Sequence, residues 1–148
     1  MRPQAHEKFR RDLQTSGREQ RAIGVYAGDE AYYIFSLKMG SDLEALLPGV
    51  SPAQRQLDVV LLHRLILERG LGITPDAVKT EKNITYEREM DAAIAEVDQG
   101  RAQICFLLNP VSVEIVAEMA MAGEVLPQKS TDFFPKLMSG ITMYRLKD

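Results

Sequence analysis

The feature that most restricts the fold of this chain is an unbroken apolar run at residues 104–108. Continuous apolar character without polar alternation is typical of a strand that is covered on both faces of a sheet. The run therefore predicts that residues 102–108 form the central strand of the fold.

Helical patterns flank this strand on both sides. One pattern spans residues 88–99, and the other starts at Asn109, read as a helix cap, and continues to about residue 121. Strands that alternate with helices of this length favour right-handed crossovers and a parallel sheet. Residues 82–126 are therefore predicted to form a β-α-β-α-β unit, with short outer strands at 84–86 and 124–126.

The front of the domain is predicted to be an antiparallel β-hairpin. Residues 22–27 and 31–37 carry apolar side chains typical of strands, and Gly28 in the short link tolerates a positive φ. A last strand is predicted at 139–146. The expected fold class is thus α/β (mixed α+β): a mixed sheet with an N-terminal antiparallel hairpin, a parallel section and a C-terminal strand, with helices packed on the sheet.

The longest apolar helix is predicted to begin at a capping box. Ser51 is the expected N-cap, Pro52 occupies the first helical position, and the helix should end at Gly70. Apolar residues on most of its sides indicate a buried helix. His63 lies on it, where a semi-buried histidine and a general base or ligand are the two interpretations.

The N-terminal segment is more polar than the rest of the chain and is predicted to lie outside the main domain. Residues 1–21 are interpreted as a polar helix and linker from a truncated or upstream segment, and residues 22–148 as a single α/β domain. The helix, predicted to end at Gly17, has only Phe9 and Leu13 as an apolar seam. Such a helix needs a partner, either the body of the domain or more helix upstream.

Composition excludes several classes of protein. The single cysteine, Cys105, cannot form an internal disulfide, and its apolar surroundings predict an unreactive buried thiol. Two histidines in 148 residues argue against a metal site. No apolar run approaches the roughly 18 residues of a membrane span, and no signal region is present, which favours a cytoplasmic protein. A net charge of −3 without a strong basic stripe argues against nucleic-acid binding.

The loop at residues 127–136 has the composition of an anion site. Prolines stiffen it and two adjacent phenylalanines can anchor it. Ammonium and hydroxyl groups presented on such a frame suit a phosphate, whereas a solvated loop pinned by aromatics is the simpler alternative. The candidate anion-binding residues are Lys129, Ser130, Thr131 and Lys136, with His63 and Asn109 in supporting positions.

Six fragments carry a family resemblance, and they occur in the order 56–63, 71–73, 83–86, 102–110, 123–131 and 133–137. Together they make the chain, over roughly residues 22–147, resemble the C-terminal part of the prokaryotic domain-of-unknown-function family 1015. The stretch from Pro127 to Lys136 is the most specific part. There Asp132 and Phe134 replace the tyrosines that the family pattern has, which removes two phenol hydroxyls and adds a negative charge.

The resemblance implies a larger protein with a ParB-like N-terminal half. That half carries an Asp-Gly-His-His-Arg motif reminiscent of nucleotide-using serine kinases, and this motif is absent from the chain. No cofactor is therefore expected in this chain, whereas a full-length protein could use a nucleotide.

Two functions follow as hypotheses. The first is a non-catalytic binding or scaffolding module whose partner is the N-terminal half or a second copy, with a small anion as a further ligand. The second is an anion-binding loop that contributes to a composite active site for phosphoryl transfer.

Overall fold

The computed structural model describes residues 2–29, 31–127 and Ser130. The helices are α1 (Arg2–Glu19), α2 (Leu43–Leu46), α3 (Asp58–Leu61), α4 (Pro75–Lys79), α5 (Met90–Asp98) and α6 (Val113–Met121), and the strands are β1 (Ala22–Tyr26), β2 (Tyr32–Ser36) and β3 (Cys105–Leu108). A 3₁₀ turn (Gln54–Gln56) precedes α3, and α3 continues directly into a π-helical segment (Leu62–Gly70).

The described strands form one antiparallel sheet in the order β2-β1-β3. Gly24 in β1 lies opposite Ile34 on one side and Leu107 on the other. The predicted hairpin is confirmed, with Gly28 in its link at a φ of 79°. The chain is thus a mixed α/β protein, as predicted.

The predicted parallel section is wrong within the described residues. Residues 84–86 and 124–126 have irregular backbone instead of forming outer strands, and β3 runs antiparallel to β1. Up to residue 127, helices α5 and α6 therefore do not connect parallel strands. The strand predicted at 139–146 lies outside the described residues.

The prediction of a central strand at 102–108 is also wrong. Of the three described strands, β1 is central, with all five residues buried, whereas β3 lies at an edge and is mostly half-buried. The physical reason is that helices cover both faces of β1. Its small residues Ala22 and Gly24 leave room for one of those layers.

The side chains of β1 separate two halves of the core. Ile23 and Val25 point into the larger half, which α3, the π-helical segment and Met119 of α6 complete. Ala22 and Tyr26 point to the opposite face, where α1 and α5 supply the apolar partners. Those partners are Phe9 and Leu13 of α1 and Ile94 and Val97 of α5.

Helix α1 packs on the sheet through its thin apolar seam. Phe9 and Leu13 are 4% and 5% exposed, and a Cβ on Gly24 would lie 2.7 Å from Cζ of Phe9. Gly17 does not end the helix, which continues to Glu19. Instead, the absence of a side chain at Gly17 allows Asn109 to approach the helix closely.

The long helix predicted from the capping box at residue 51 begins later than expected. Ser51 does cap, because its Oγ accepts from the backbone N–H of Gln54 at 3.2 Å, but only the 3₁₀ turn follows. Leu57 then takes an extended conformation (φ −95°, ψ 126°) with its side chain buried, and α3 starts at Asp58. The helix was predicted to stop at Gly70, but it includes Gly70 and is capped by Leu71.

Helix α5 matches its predicted position closely, but α6 starts later than predicted. Ser112 caps α6 by accepting from the N–H of Ile115, so Asn109 is not the cap. In the part of the chain that the structure describes, no helix has the length and apolarity that crossing a membrane requires.

Candidate functional site

Of the four candidate residues in the predicted anion loop, the structure describes only Ser130. Ser130 uses its own turn: its hydroxyl donates to the Pro127 carbonyl at 2.6 Å, and its N–H donates to the same oxygen at 3.2 Å. Lys129, Thr131 and Lys136 lie outside the described residues. The grouping of these side chains around an anion therefore stays a prediction.

The two supporting residues are placed in different surroundings. Asn109 follows β3, and its side-chain amide donates to the backbone oxygen of Leu13 at 3.2 Å, so it anchors α1. His63 lies on the π-helical segment and lines a groove with α4. Asn109 thus has a structural role, and His63 belongs to the strongest candidate site.

This groove has a volume of about 310 Å³, which is at the lower end of the range for small-molecule sites. It lies between the π-helical segment (Leu62–Gly70) and α4. A π-helix is rare in proteins and is frequently found at functional sites. The lining residues are His63, Arg64, Glu68, Pro75, Val78 and Lys79, and we call this surface the α4 groove.

Local sequence explains why α4 stands beside the π-helical segment. The N–H of Ile73 donates to the carbonyl of Leu67 at 2.8 Å, which ties the returning chain to the end of that segment. Thr74 then caps α4 by accepting from the N–H of Ala77, and Pro75 occupies the first helical position. Val78 packs against the larger half of the core.

Helix α4 was missed by the sequence analysis, and with it half of the groove. The order Thr74, Pro75, Asp76 is a helix-start signal, since it combines an N-cap, a proline at the first position and an acidic first turn. This signal could have located Val78 and Lys79 on a short helix. Their distance from His63 in space could not have been read from it.

The charged side chains of the groove are two cations, Arg64 and Lys79, and one carboxylate, Glu68. Arg64 forms an ion pair with Glu68 at 2.9 Å, while Lys79 is exposed at the rim. The same pair also lines a smaller cavity of about 80 Å³ on the side of α2, where Arg69 adds another cation. The Arg64–Glu68 pair is thus shared by both cavities and lies beside two further positive charges.

Burial keeps His63 neutral over a wider pH range than an exposed histidine. Its pKa is lowered from 6.5 because the half-buried imidazole loses hydration when it is charged. A neutral imidazole can both donate and accept a hydrogen bond. The groove therefore offers a charged rim and an uncharged polar group beside the apolar side chains of Pro75 and Val78.

Asp58, at the start of α3, is shifted in the opposite sense. Its pKa is raised from 3.8 by burial of the carboxyl, an effect that the charge of Arg21 partly offsets. Its Oδ1 has no hydrogen-bond partner among the described residues. The carboxyl contributes to the pH dependence of stability, and it does not line the groove.

Removing the imidazole of His63 is expected to weaken the loss of stability in acid. Because the folded-state pKa is below 6.5, the stabilisation is complete above that pH and is lost as the pH falls through the folded-state value. In urea unfolding at a series of pH values, His63→Gln should therefore lose less stability than the parent below about pH 6.5.

Asp58→Asn is the control, because it should change the pH dependence of stability in the opposite direction from His63→Gln. Since the pKa of Asp58 is raised, its contribution is lost as the pH increases through the folded-state value, so Asn should stabilise the protein at neutral pH relative to the parent. An unchanged pH profile for His63→Gln would contradict the placement of His63 in a half-buried wall.

Two other sequence-based expectations concern reactive groups and metals. Cys105 in β3 is half-buried, and burial raises the pKa of its thiol, which keeps the thiol protonated and weakly nucleophilic. Among the described residues, no three of the acidic, histidine and cysteine side chains come together as metal ligands would.

Comparisons with known proteins found no relative of this chain. The resemblance to family 1015 consequently stays a prediction from the sequence, since no family model, no curated protein and no solved structure matches the chain.

Proposed function

We propose that this chain is a non-catalytic binding module whose α4 groove takes an organic anion with an apolar portion. The observation that carries the proposal is the composition of the groove: apolar Pro75 and Val78 lie beside cationic Arg64 and Lys79 in a space of about 310 Å³. This pairing of an apolar surface with a few polar groups is typical of ligand sites.

Arg64 is the expected anchor for the anionic end of the ligand. A guanidinium has five N–H donors in a planar fork, and the contact with Glu68 at 2.9 Å engages only part of that fork. An ion pair as exposed as this one, with side chains 42% and 37% exposed, contributes little stability, about 0–1 kcal/mol. A carboxylate or phosphate can therefore displace the Glu68 carboxylate from the guanidinium without a large loss of stability, and this displacement also removes the like charge from the anion's position.

Lys79 and His63 complete the recognition of the ligand. Lys79 adds a positive charge at the exposed rim, and His63 offers a neutral hydrogen-bonding group in the wall. The alkyl or ring portion of the ligand would contact Val78, which is continuous with the core. Because α4 is capped at Thr74 and tied back through Ile73, the groove is largely preformed.

This proposal retains a binding role for the chain and places the anion contact in the groove. The phosphoryl-transfer hypothesis depends on the loop at residues 127–136, three of whose four candidate side chains lie outside the described residues. No contact among the described residues favours that second function.

Hexanoate is expected to bind saturably with a Kd of about 1 mM, because it combines a carboxylate with a short apolar chain. The measurement is a titration of ¹⁵N-labelled protein followed by NMR, with the amide signals of His63, Val78 and Lys79 shifting together. Acetate, which lacks the chain, and hexylammonium, which reverses the charge, should each bind at least about tenfold more weakly.

A pair of lysine variants supplies the matched control. Lys79→Gln removes a rim charge and should weaken hexanoate binding about three- to tenfold, whereas Lys82→Gln removes an exposed charge outside the groove lining and should not. Equal weakening by both variants, or shifts spread over the whole surface without saturation, would show that the attraction is non-specific and would refute the proposal.

A further inference from the structure

Strand β2 lies at an edge of the sheet that the structure describes, and it lacks the usual protection of an edge strand. Its residues Tyr32–Ser36 include no charged residue and no proline. Two of its aromatic side chains are unusually exposed, Tyr33 at 43% and Phe35 at 50%. Natural proteins commonly place lysine, proline or a bulge on such an edge to prevent pairing with another strand.

The backbone pattern shows which groups of β2 point outwards. The N–H of Leu37 donates to the carbonyl of Arg21 at 3.0 Å, so the pair formed by these two residues is a hydrogen-bonded one. Hydrogen-bonded and non-hydrogen-bonded pairs alternate along an antiparallel ladder. The backbone N–H and C=O groups of Phe35 and Tyr33 therefore point towards β1. The N–H and C=O of Ile34 and Ser36 consequently point away from β1.

We infer that a second copy of this chain pairs with β2 as an antiparallel strand, in the register that places Ile34 opposite Ile34. This register is two-fold symmetric because Ile34 of one copy pairs with Ile34 of the other. Since the N–H and C=O of Ile34 point away from β1, the two copies can exchange both hydrogen bonds at this position. The same surface is then used by both copies, as in most homodimers. The three described strands of each copy would then form one continuous sheet across the dimer axis.

The side chains complement one another in this register. Tyr33 of one copy lies opposite Phe35 of the other at a non-hydrogen-bonded position, where side chains approach most closely. Such aromatic pairs stabilise antiparallel sheets. Ile23 and Val25, the neighbours of Phe35 and Tyr33 on the same face, are buried, so the aromatic pairs would continue the apolar face of the sheet.

The charges flanking β2 favour a second copy over an unrelated strand. Lys38 follows the strand and Asp29 precedes it in the hairpin link. In the symmetric register, Asp29 of one copy comes level with Met39 of the other, next to Lys38. Opposite charges therefore meet at both ends of the paired strands, which selects this register and an antiparallel partner with the same sequence.

The first test is the mass of the full chain in solution, measured by light scattering over a dilution series. The parent protein should have twice its monomer mass of 16.6 kDa and dissociate on dilution. Phe35→Lys should be a monomer, because it places a charge in both aromatic pairs. Met121→Lys adds the same charge at a side chain of α6 that is 89% exposed, and it should remain a dimer.

A cysteine experiment tests the register itself, without relying on a disruptive variant. A mixture of Tyr33→Cys and Phe35→Cys proteins should give a disulfide-linked heterodimer under mild oxidation, because residues 33 and 35 of opposite copies face each other. Each variant alone should cross-link much less, since its thiols are then offset along the strands. The half-buried Cys105 is replaced by serine in both proteins.

A parent protein that is a monomer throughout the dilution series would overturn the inference. A dimer that survives Phe35→Lys, or equal cross-linking of the mixture and the single variants, would place the interface elsewhere and would also overturn it.

Discussion

Phe9→Ala is expected to lower the free energy of unfolding by about 3–5 kcal/mol, the range typical of removing a buried phenylalanine. Phe9 is 4% exposed, and its ring stacks on Tyr32 with a centroid separation of 4.8 Å. Phe9 and Leu13 are buried together where α1 packs on the second face of β1. Removal of the Phe9 ring therefore leaves a cavity over the centre of the sheet.

The measurement is urea unfolding followed by circular dichroism, with Met39→Ala as the control because Met39 is 87% exposed. The control should change stability by less than about 0.5 kcal/mol. Limited trypsin digestion supplies a second readout, since cleavage at Arg10 and Arg11 should become faster when α1 detaches. A loss below about 1 kcal/mol for Phe9→Ala would mean that α1 is a loosely attached linker.

The elements that were predicted correctly have local signals. The hairpin follows from two short apolar strands and a glycine at the turn, and α5 follows from an apolar face closed by Gly100, whose φ is 72°. These features depend on residues close together in sequence. For the same reason, the end of the π-helical segment was predictable to within one or two residues, although its π-helical winding was not.

The arrangement of the sheet was not predictable, because it depends on contacts between distant residues. An apolar run such as 104–108 fits any strand with a covered face, and it does not reveal the direction or the neighbours of that strand. The central position of β1 depends on Gly24, which as a sequence feature indicates only a weakened strand. In the structure Gly24 accommodates Phe9 and Leu13 from α1.

At the candidate site, too, local features were predictable from sequence and contacts between distant residues were not. A semi-buried side chain was one of the two interpretations of His63 from sequence, and the structure places it half-buried in the wall of the α4 groove with a lowered pKa. Its partners Pro75, Val78 and Lys79 were not predicted, since they lie beyond a turn and on a helix of five residues. Residue types alone favoured the lysine-rich loop as the anion site, whereas the concave surface that the structure describes lies elsewhere.

Gly17→Ala is expected to destabilise the protein by about 1–3 kcal/mol, although alanine is the better helix former. A Cβ at this position would overlap the side-chain nitrogen of Asn109 and lie 2.9 Å from its Cγ. Relieving that overlap would move Asn109 away from Leu13, whose carbonyl it bonds at 3.2 Å. The loss thus combines steric overlap with a broken hydrogen bond between α1 and the end of β3.

A double-mutant cycle separates this explanation from a simple effect on the helix. Asn109→Ala alone should cost about 0.5–1.5 kcal/mol, the net value of one hydrogen bond. In that background the overlap is gone, so Gly17→Ala should become neutral or stabilise by up to about 1 kcal/mol. The sign of the glycine substitution thereby reports whether Asn109 touches α1, and a loss of the same size in both backgrounds would show that it does not.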